Sequence, residues 1–526
     1  MRKGRQNVAF IGDDGHTTTD FQRAATGGSG KFQDNSSYSF SYELQEDRKL
    51  PLSLMLSDET ITTENEMKRD TWGNGLEFLM SCIAMSIGLG NVWRFPFTAY
   101  ENGGGVFLIP YIIVLFLVGK PFYYLEMIMG QFSSRSSVKM WSAVPGFRGV
   151  GWAQMFSMLA VGTYYCFLMS ITLFYLIASF QSSLPWSTCL EEWGNSCADS
   201  GSSYNVTKRN STNMTSSAEF FFRDVLVVTT LDTFTSLIAG FTIFGILGNL
   251  AHELGTEDIS NVVRGGTGLA FVSYPDAIAK FNVLPQLFSV LFFLMLYVLG
   301  IGSAIALAGA LITIISDQFP HWRYIYIVTG TCTFGFCAGI MYCTPGGQFI
   351  LELVDYYAGS FIVFILATLE IIGIFWVYGL ENFLDDVEYM LKRRPSVYWR
   401  LCWTLVVPIL LAVILVYTII NLKPLTYSGI SYPDSAHAAG WTICTFGILQ
   451  VPFWMIYAII SKRNLPPLEM IKSAFKPSSD WGPKNSKELD SWNEFKETKR
   501  KIREKRECSR IKQFVYVILC WEDKLV

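Results

Sequence analysis

The sequence predicts an all-α polytopic membrane protein, and three observations support that fold class. Hydrophobic residues fill 51% of the 526 positions and charged residues only 16%, well below the roughly 25% charged residues of soluble domains. Apolar stretches long enough to span the hydrocarbon core of a bilayer recur between positions 72 and 461. The regions between and beyond these stretches are polar. The chain is therefore expected to lie in the lipid bilayer as a multi-pass protein.

Nine apolar segments can be counted, and polar regions divide the chain into five parts. Residues 1–70 are polar and are expected to form a disordered cytoplasmic tail. Residues 71–182 hold the first three helices, 183–226 an extracellular loop, 227–461 six further helices, and 462–526 a cytoplasmic tail. Within the fourth part, a long polar loop is expected over 252–283. The segments run 72–98, 104–131, 150–182, 227–251, 284–316, 323–343, 358–385, 401–422 and 438–461.

The loop after the third segment has the features of an extracellular region. Cys189 and Cys197 flank a short polar stretch, CLEEWGNSC, and three glycosylation sequons follow at Asn205, Asn210 and Asn213. Sequons are modified, and disulfides persist, on the outer side of the membrane. We therefore predict a disulfide between the two cysteines and glycosylation of the three asparagines.

The distribution of Lys and Arg indicates which loops face the cytoplasm, because cytoplasmic loops carry an excess of positive charge. It predicts a plasma-membrane protein with a cytoplasmic N-terminus. The tail sequence KETKRKIREKRECSRIK is also basic, and it fits either a solvated or disordered segment or a contact with anionic inner-leaflet lipid. The basic loop residues are Lys68, Arg69, Arg135, Lys139, Arg148, Lys392, Arg393, Arg394 and Arg400.

Counting the crossings exposes a conflict with this orientation. An extracellular 183–226 loop fits three crossings from a cytoplasmic N-terminus. Four further segments would return the chain to the outside at 392–400, where its most basic short loop lies. Either one segment does not span the bilayer, or an odd number of helices is missing between 183 and 392. We expect segment 227–251 to be strained, re-entrant or wrongly oriented.

The stretch SIGLGNVWRFP at 86–96 places helix-weakening and charged residues inside the first apolar segment. Gly88 and Gly90 allow the backbone to unwind, and a break at membrane depth is tolerated where it is buried in protein or lines a cavity. Broken helices of transporters direct freed backbone groups at substrates and cations. Arg94 is a functional candidate because a charge in the membrane is costly. The alternative is close glycine-mediated helix packing with a snorkelling arginine.

Longer motifs carry a family resemblance. The first two helices of the neurotransmitter:sodium symporter family are similar to NGLEFLMSCIAMSIGLGNVWRFPFTAYENGGGVFLIPYIIVLFLVGKPFYYLEMIMGQFSSRS, and the third is similar to TYYCFLMSITLFYLIASF. Within the family, the insect-type sodium-dependent nutrient amino-acid transporters resemble TTLDTFTSLIAGFTIFGILGNLAHE and VLGIGSAIALAG. The resemblance covers about 70–470. It implies a LeuT-type inverted-repeat fold, here incomplete, with about nine of twelve helices.

The resemblance also implies ion sites built from oxygen atoms, which suit sodium as a hard cation. It implies chloride ligands as well. The matching residues are Ala84 and Ile87 for one sodium site, Ser86 and Asn91 for the other, Leu299, Gly302 and Ser303 for the eighth-helix side of one of them, Asp232 for a further sodium-ligand position, and Tyr111 and Ser236 for chloride.

A substrate site and two gates follow from the same resemblance. The N–H groups of Leu89 and Gly90 and the hydroxyl of Tyr165 face the carboxylate of an amino acid, and Val161 lines the pocket for its side chain. Without the motif context, Tyr165 would be interpreted as a core aromatic residue and Asp355 as a charge at the end of a loop. The gate pairs are Arg94 with Asp355 on the extracellular side and Arg69 with Asp317 on the intracellular side.

The sequence departs from the family pattern in three places. Asp232 replaces the usual Asn, so we expect altered cation selectivity. Gly302 replaces a Thr or Asp, which removes one side-chain oxygen. The third departure is a gap. FFFRDVL, which resembles the end of the extracellular loop, continues at Leu226–Val227 into VVTTLDTFTS, which resembles the start of the seventh helix. Helices four to six are therefore missing, which explains the crossing conflict and leaves the first helix without its broken partner, the sixth.

Two functions follow as hypotheses. Family membership favours a sodium-coupled symporter of neutral nutrient amino acids. The gap favours a transport-incompetent isoform or gene model that is inert or acts as a regulatory partner of full-length transporters. The implied ligands are sodium, chloride and a neutral amino acid, and the chain could associate with itself or with full-length transporters. No nucleic-acid partner is indicated. An enzyme is not expected, because His252-Glu253 is followed by Leu-Gly-Thr and does not complete HExxH.

Overall fold

The computed structural model describes residues 81–189 except 83, 86 and 93, the backbone of 197–198 and 215–216, and residues 268–521 except 282, 423, 428–429 and 507–508. Seven helices in these ranges are long and apolar enough to cross a membrane. We number the helices α1 (Arg94–Glu101), α2 (Gly104–Ser133), α3 (Pro145–Ala178), α4 (Leu269–Ala279), α5 (Pro285–Gln318), α6 (Tyr324–Cys343), α7 (Gly347–Leu391), α8 (Val397–Ile420), α9 (Asp434–Ile460), α10 (Pro467–Ala474), α11 (Ser486–Glu504) and α12 (Arg510–Ile518).

Strands are short in the described ranges. Strands β1 (Cys197–Ala198) and β2 (Thr215–Ser216) pair in parallel, with Cys197 opposite Thr215. Strands β3 (Thr426–Tyr427) and β4 (Ile430–Ser431) pair antiparallel in the loop between α8 and α9.

Seven of the nine predicted segments are confirmed as long helices, namely α2, α3 and α5 to α9. The sequence places α7 at 358–385, whereas the helix runs from Gly347 to Leu391. The polar side chain of Asp355 breaks the apolar pattern near its start, although that residue lies within the helix. Two π-helical stretches, Asp355–Phe361 and Ile372–Gly379, also distort α7. Segment 227–251 lies outside the described residues.

Two sets of contacts define the two ends of the helix bundle. At the first, the Tyr175 hydroxyl on α3 donates to the Phe271 carbonyl of α4 at 2.9 Å. Trp186 packs on Tyr175 here, so we call this the Trp186 end. At the second, the Arg135 end, the carboxylate of Asp317 on α5 accepts a hydrogen bond from the Ser136 N–H at 2.9 Å. Successive long helices from α5 onward connect these ends in alternation.

This arrangement bears on the crossing conflict. The described residues on either side of 190–267 both lie at the Trp186 end, since α4 packs there with α3 and with Trp186. A single full crossing by segment 227–251 would put them at opposite ends. Segment 227–251 itself is outside the described residues. Both of its flanks lie at the same end of the bundle. The crossing count requires this if all the basic loops are to lie on one side of the membrane.

The predicted polar loop over 252–283 contains a buried helix, so that prediction was wrong for its second half. Leu269, Ala270 and Phe271 in α4 are at most 1% exposed. Phe271 packs on Tyr175 of α3, with ring centroids 5.8 Å apart. The apolar run LAFV is too short to span a membrane, but it buries its side chains against α3 and α5.

Helix α3 is the centre of the bundle. Half of its most apolar window is buried inside the protein, compared with 6% for α2, whose faces are left for lipid. One hydrophobic cluster joins its C-terminal half to α4, α5 and Trp186. A second joins its N-terminal half to α2, α7, α8, α9 and the tail. The first cluster holds the candidate site.

The C-terminal tail packs on the cytoplasmically assigned Arg135 end and is not a free charged segment. Basic residues of α11 and its flank pair with the acidic end of α7, and Trp492 donates to Asp386 at 3.1 Å. The pairs are Lys496–Asp386 at 2.8 Å, Lys499–Glu388 at 2.8 Å, Arg503–Asp385 at 2.8 Å, and Arg506–Glu381. This face of the tail is therefore engaged by protein, while the predicted contact with anionic lipid is not tested.

A second contact fixes the start of the tail. Asp480 forms an ion pair with Arg135 at 2.9 Å and accepts a hydrogen bond from Ser142 at 3.0 Å. Burial alone would raise the pKa of the Asp480 carboxyl. Hydrogen bonds from Ser478, Ser142 and Arg135, together with the charge of Arg135, outweigh burial and lower that pKa. The loop between α2 and α3 is thereby tied to the tail.

Close packing of α9 on α7 generates a prediction. A Cβ atom at Gly440 would lie 2.2 Å from the ring of Tyr357, which is 2% exposed. We expect Gly440→Ala to lower the free energy of unfolding by about 1–3 kcal/mol, because the buried ring has little room to move. The measurement is thermal unfolding of the purified chain in detergent.

The matched control is Gly335→Ala on α6, where an added Cβ meets nothing within 4 Å. It should be neutral or slightly stabilising, because alanine is the better helix former. Equal melting temperatures for the two variants would contradict the packing described for Gly440.

Candidate functional site

The first helix is broken at the predicted place. Residues 84–85 are helical, Gly88 is extended with φ −130° and ψ −170°, a 3₁₀ turn covers Leu89–Asn91, and α1 resumes at Arg94. The Val92 N–H donates to the Leu89 carbonyl at 3.0 Å. The predicted interruption of the first apolar segment is therefore confirmed. Backbone groups on either side of it need partners from other elements, because lipid offers none.

A cavity of about 300 Å³ lies against this break. Its walls come from the broken helix, from α3 and from α5. It brings together all four residues predicted for the substrate site, Leu89, Gly90, Val161 and Tyr165, whose role stays a prediction. The cavity is lined by Gly88, Leu89 and Gly90 of the break and by the polar residues Arg94, Tyr164, Tyr165 and Ser303. Val161 is among its apolar lining residues.

The predicted extracellular gate pair is in contact. The Arg94 guanidinium forms a salt bridge with the Asp355 carboxylate, and Asp355 is 7% exposed while the Arg94 side chain is about half exposed. The Tyr164 hydroxyl donates to the other Asp355 oxygen at 2.7 Å. Both oxygens of this buried carboxylate therefore have partners. The three residues link α1, α3 and α7 beside the cavity, at the base of the Trp186 end.

Tyr164 is a site residue that the sequence reasoning missed. In the motif TYYC, the family resemblance assigns the carboxylate-binding hydroxyl to Tyr165 and assigns no role to Tyr164. Successive helical residues point about 100° apart, so Tyr164 reaches Asp355 while Tyr165, 8% exposed, lines the cavity. The contact of Tyr164 could not be predicted from the sequence, because it depends on α7 packing against the face of α3 that bears Tyr164.

Two residues of α5 that the family resemblance predicts as sodium ligands, Gly302 and Ser303, pack against Ala84 and Ile87. The Ser303 hydroxyl on α5 donates to the Ile87 carbonyl at 3.2 Å. A Cβ atom at Gly302 would lie 2.9 Å from both the carbonyl oxygen and the Cβ of Ala84. Helix α5 therefore contacts the first helix at the residues assigned to one sodium site. Glycine at position 302 has a steric reason here, because a larger residue would push the two helices apart.

The other residues predicted as ion ligands are only partly described by the structure. Asn91 is 7% exposed, and its amide nitrogen has no hydrogen-bond partner among the described residues. Tyr111 lies in an aromatic group with Phe95, at a centroid distance of 4.8 Å, and with Phe107. Other predicted members fall outside the described residues, so these sites stay predictions. Those members are Ser86, Asp232 and Ser236.

The intracellular gate and the extracellular loop are also only partly described. Asp317 accepts from the Ser136 N–H, as noted above, whereas its predicted partner Arg69 lies outside the described residues. Cys189 is disulfide-bonded. Its pairing with Cys197 stays a prediction, because only the backbone of Cys197 is described. The sequons at Asn205, Asn210 and Asn213 also lie outside the described residues.

A broken helix that lines a cavity, here beside a partly buried ion pair, is typical of secondary transporters. The chain belongs to the Sodium:neurotransmitter symporter family, whose sequence model matches residues 69–229 and 218–462. The transporter class and the family agree with the resemblance found in the sequence.

Curated relatives carry the name "Sodium-dependent nutrient amino acid transporter 1". The relative from Drosophila pseudoobscura pseudoobscura is 42% identical over 587 positions, covering 85% of this chain and 90% of the relative. The one from Drosophila melanogaster is 41% identical over 588 positions, covering 84% and 92%. The one from Drosophila mojavensis is 42% identical over 569 positions, covering 81% and 88%.

These alignments contain many positions that this chain does not fill. The first spans 587 positions but takes in 85% of a 526-residue chain, about 447 residues, so roughly 140 positions (587 less 447) face no residue here. The family model also matches in two pieces that meet over 218–229, around Leu226–Val227. Both findings fit the predicted absence of helices four to six.

The hydroxyl of Tyr164 gives a testable prediction. Tyr164→Phe should lower the free energy of unfolding by about 1–3 kcal/mol, because it removes one hydrogen bond from a buried carboxylate. Thermal unfolding of the purified chain measures this loss. The control is Tyr326→Phe, since Tyr326 is 66% exposed on α6. An unchanged melting temperature for Tyr164→Phe would mean that the contact with Asp355 does not stabilise the fold.

Proposed function

We propose that this chain carries the machinery of a sodium-coupled symporter for neutral nutrient amino acids. Its single strongest support is the contact of Ser303 with the Ile87 carbonyl, which joins α5 to the break in the first helix. The names of the Drosophila relatives supply the substrate class and the dependence on sodium.

The donor set beside this contact fits sodium. The carbonyls of Ala84, Ile87 and Leu299 and the hydroxyl of Ser303 are neutral oxygen donors, which hard cations prefer. The helices that bear them already pack together. Sodium bound there would replace the Ser303 hydrogen as the partner of the Ile87 carbonyl and would hold α5 against the first helix.

The amino acid would bind in the cavity against the break. The N–H groups of Leu89 and Gly90 lie at the start of the second half of the broken helix, an arrangement that favours an anionic carboxylate. The hydroxyl of Tyr165 would add a hydrogen bond, and Val161 would contact the side chain. The Arg94–Asp355 pair would close the cavity toward the Trp186 end and would separate when that side opens.

We propose further that this polypeptide does not complete transport by itself. The observation that favours this is the set of roughly 140 unfilled positions in the alignment (587 less 447), together with the two-piece family match. In the family, the sixth helix supplies the other wall of the pocket and further ion ligands. The chain would then retain the sodium site between the first helix and α5 and only half of the substrate site. A regulatory role beside full-length transporters is the remaining possibility for its activity.

Uptake by cells that express only this chain tests the proposal. We expect glycosylated protein at the surface and no sodium-dependent uptake of neutral amino acids above mock-transfected cells. The Drosophila melanogaster relative serves as the positive control, and surface labelling shows whether the chain reaches the membrane. Co-expression with that relative should change its uptake if the chain is a regulatory partner. Strong sodium-dependent uptake by this chain alone would contradict the transport-incompetent proposal and leave the symporter proposal standing.

A further inference from the structure

A second cavity, separate from the substrate site, holds two acidic side chains within the membrane-spanning part of the bundle. It measures about 380 Å³ and lies between α2, α3 and α7, toward the Arg135 end. Glu126 from α2 and Glu370 from α7 line it, as do Gln154 from α3 and Arg135. None of these side chains belongs to the sodium, chloride or substrate sets described above.

Glu370 is the buried member of the pair. It is 1% exposed, and one of its oxygens accepts a hydrogen bond from the Gln154 amide at 2.7 Å. Its other oxygen has no hydrogen-bond partner among the described residues. A buried carboxylate without a counter-charge is strongly disfavoured. Glu126 faces the same cavity and is exposed, so its carboxyl can exchange protons through the open side of the cavity.

The other charged group of the cavity does not neutralise this pair. Arg135 is the one cation among the described lining residues, and its guanidinium is held by Asp480 at 2.9 Å. Ser157 also lines the cavity, but its hydroxyl donates to the Ala358 carbonyl at 2.6 Å. Two carboxyl groups therefore face one space without a cation of their own.

We propose that Glu126 and Glu370 hold one proton between them and form a proton-binding site inside the bundle. Two neighbouring carboxyl groups resist losing both protons, because the second negative charge is repelled by the first. The proton resides as an O–H on one of the two carboxyl groups and relieves the repulsion between them. When released, it leaves through Glu126, the exposed member of the pair, and the pair becomes doubly negative.

The surroundings favour a proton over an alkali cation. Sodium or potassium requires several oxygen ligands. Here the neutral group beside Glu370 presents an amide N–H, which is a hydrogen-bond donor and not a cation ligand. A proton satisfies the unpartnered oxygen of Glu370 without further ligands.

Infrared spectroscopy of the purified full chain in lipid nanodiscs tests this site. A protonated buried carboxyl gives a carbonyl band that shifts on exchange into heavy water and vanishes as the pH rises. We expect such a band at neutral pH, and we expect Glu126→Gln/Glu370→Gln together to remove it. In Glu126→Gln alone, the Glu370 band should vanish at a pH lower by about one unit or more, a roughly tenfold loss of proton affinity, because the repelling neighbour is gone.

The matched control is Glu494→Gln, which alters an exposed glutamate of α11 and should leave the titration unchanged. Glu126 is exposed, so its variant tests the coupling even if Glu370→Gln destabilises the fold. The proposal is overturned if the double variant keeps the band, or if Glu126→Gln leaves the titration of Glu370 where it was. Loss of the band at constant pH when sodium or potassium replaces choline would also overturn it, since an alkali ion would then occupy the site.

Discussion

The break in the first helix imposes the constraint on which the rest of this structure depends. A helix that unwinds at membrane depth leaves N–H and carbonyl groups that lipid cannot satisfy, so other parts of the protein have to reach them. Ser303 on α5 bonds to the Ile87 carbonyl, and Tyr274 on α4 bonds to the Val92 carbonyl at 3.2 Å. Helices α4 and α5 are thus held against the first helix by its own irregularity.

The same constraint explains why the charged gate is tolerated. Arg94 follows directly on the unwound stretch, and its partner Asp355 opens a π-helical stretch of α7. Tyr164 from the central helix α3 donates to the second carboxylate oxygen. Both oxygens of the Asp355 carboxylate therefore have a partner, and these contacts join α1, α3 and α7 around the cavity. Binding of an amino acid or of sodium would act on elements that are already coupled through these contacts.

Sequence alone predicted the parts of this arrangement that local chemistry determines. The glycines and Arg94 in SIGLGNVWRFP indicated the break, and the spacing of apolar residues indicated the long helices. The family resemblance paired Arg94 with Asp355 across 261 residues, which the structure confirms as a contact. Composition could not show that α4 is buried. The four apolar residues LAFV are buried only because α3 and α5, through Tyr175 and Phe293, pack against them.

Features that depend on three-dimensional neighbours were missed. Glu126 and Glu370 each interrupt an apolar run, and only the packing of α2, α3 and α7 brings them to one cavity. The basic tail was interpreted as solvated or lipid-bound, whereas four of the nine basic residues in KETKRKIREKRECSRIK find partners on α7. Gly302 was treated as the loss of an oxygen ligand. The structure adds that close contact with Ala84 requires a small residue there.

We propose one sodium site between the first helix and α5, and only half of a substrate site in the chain as a whole. The most direct test is binding of radioactive sodium to the purified full chain in lipid nanodiscs, with and without neutral amino acids. We predict sodium binding that amino acids do not change, that Ser303→Ala weakens, and that Ser461→Ala on the exposed end of α9 leaves unchanged. Absence of sodium binding, or binding that appears only when an amino acid is added, would contradict this proposal.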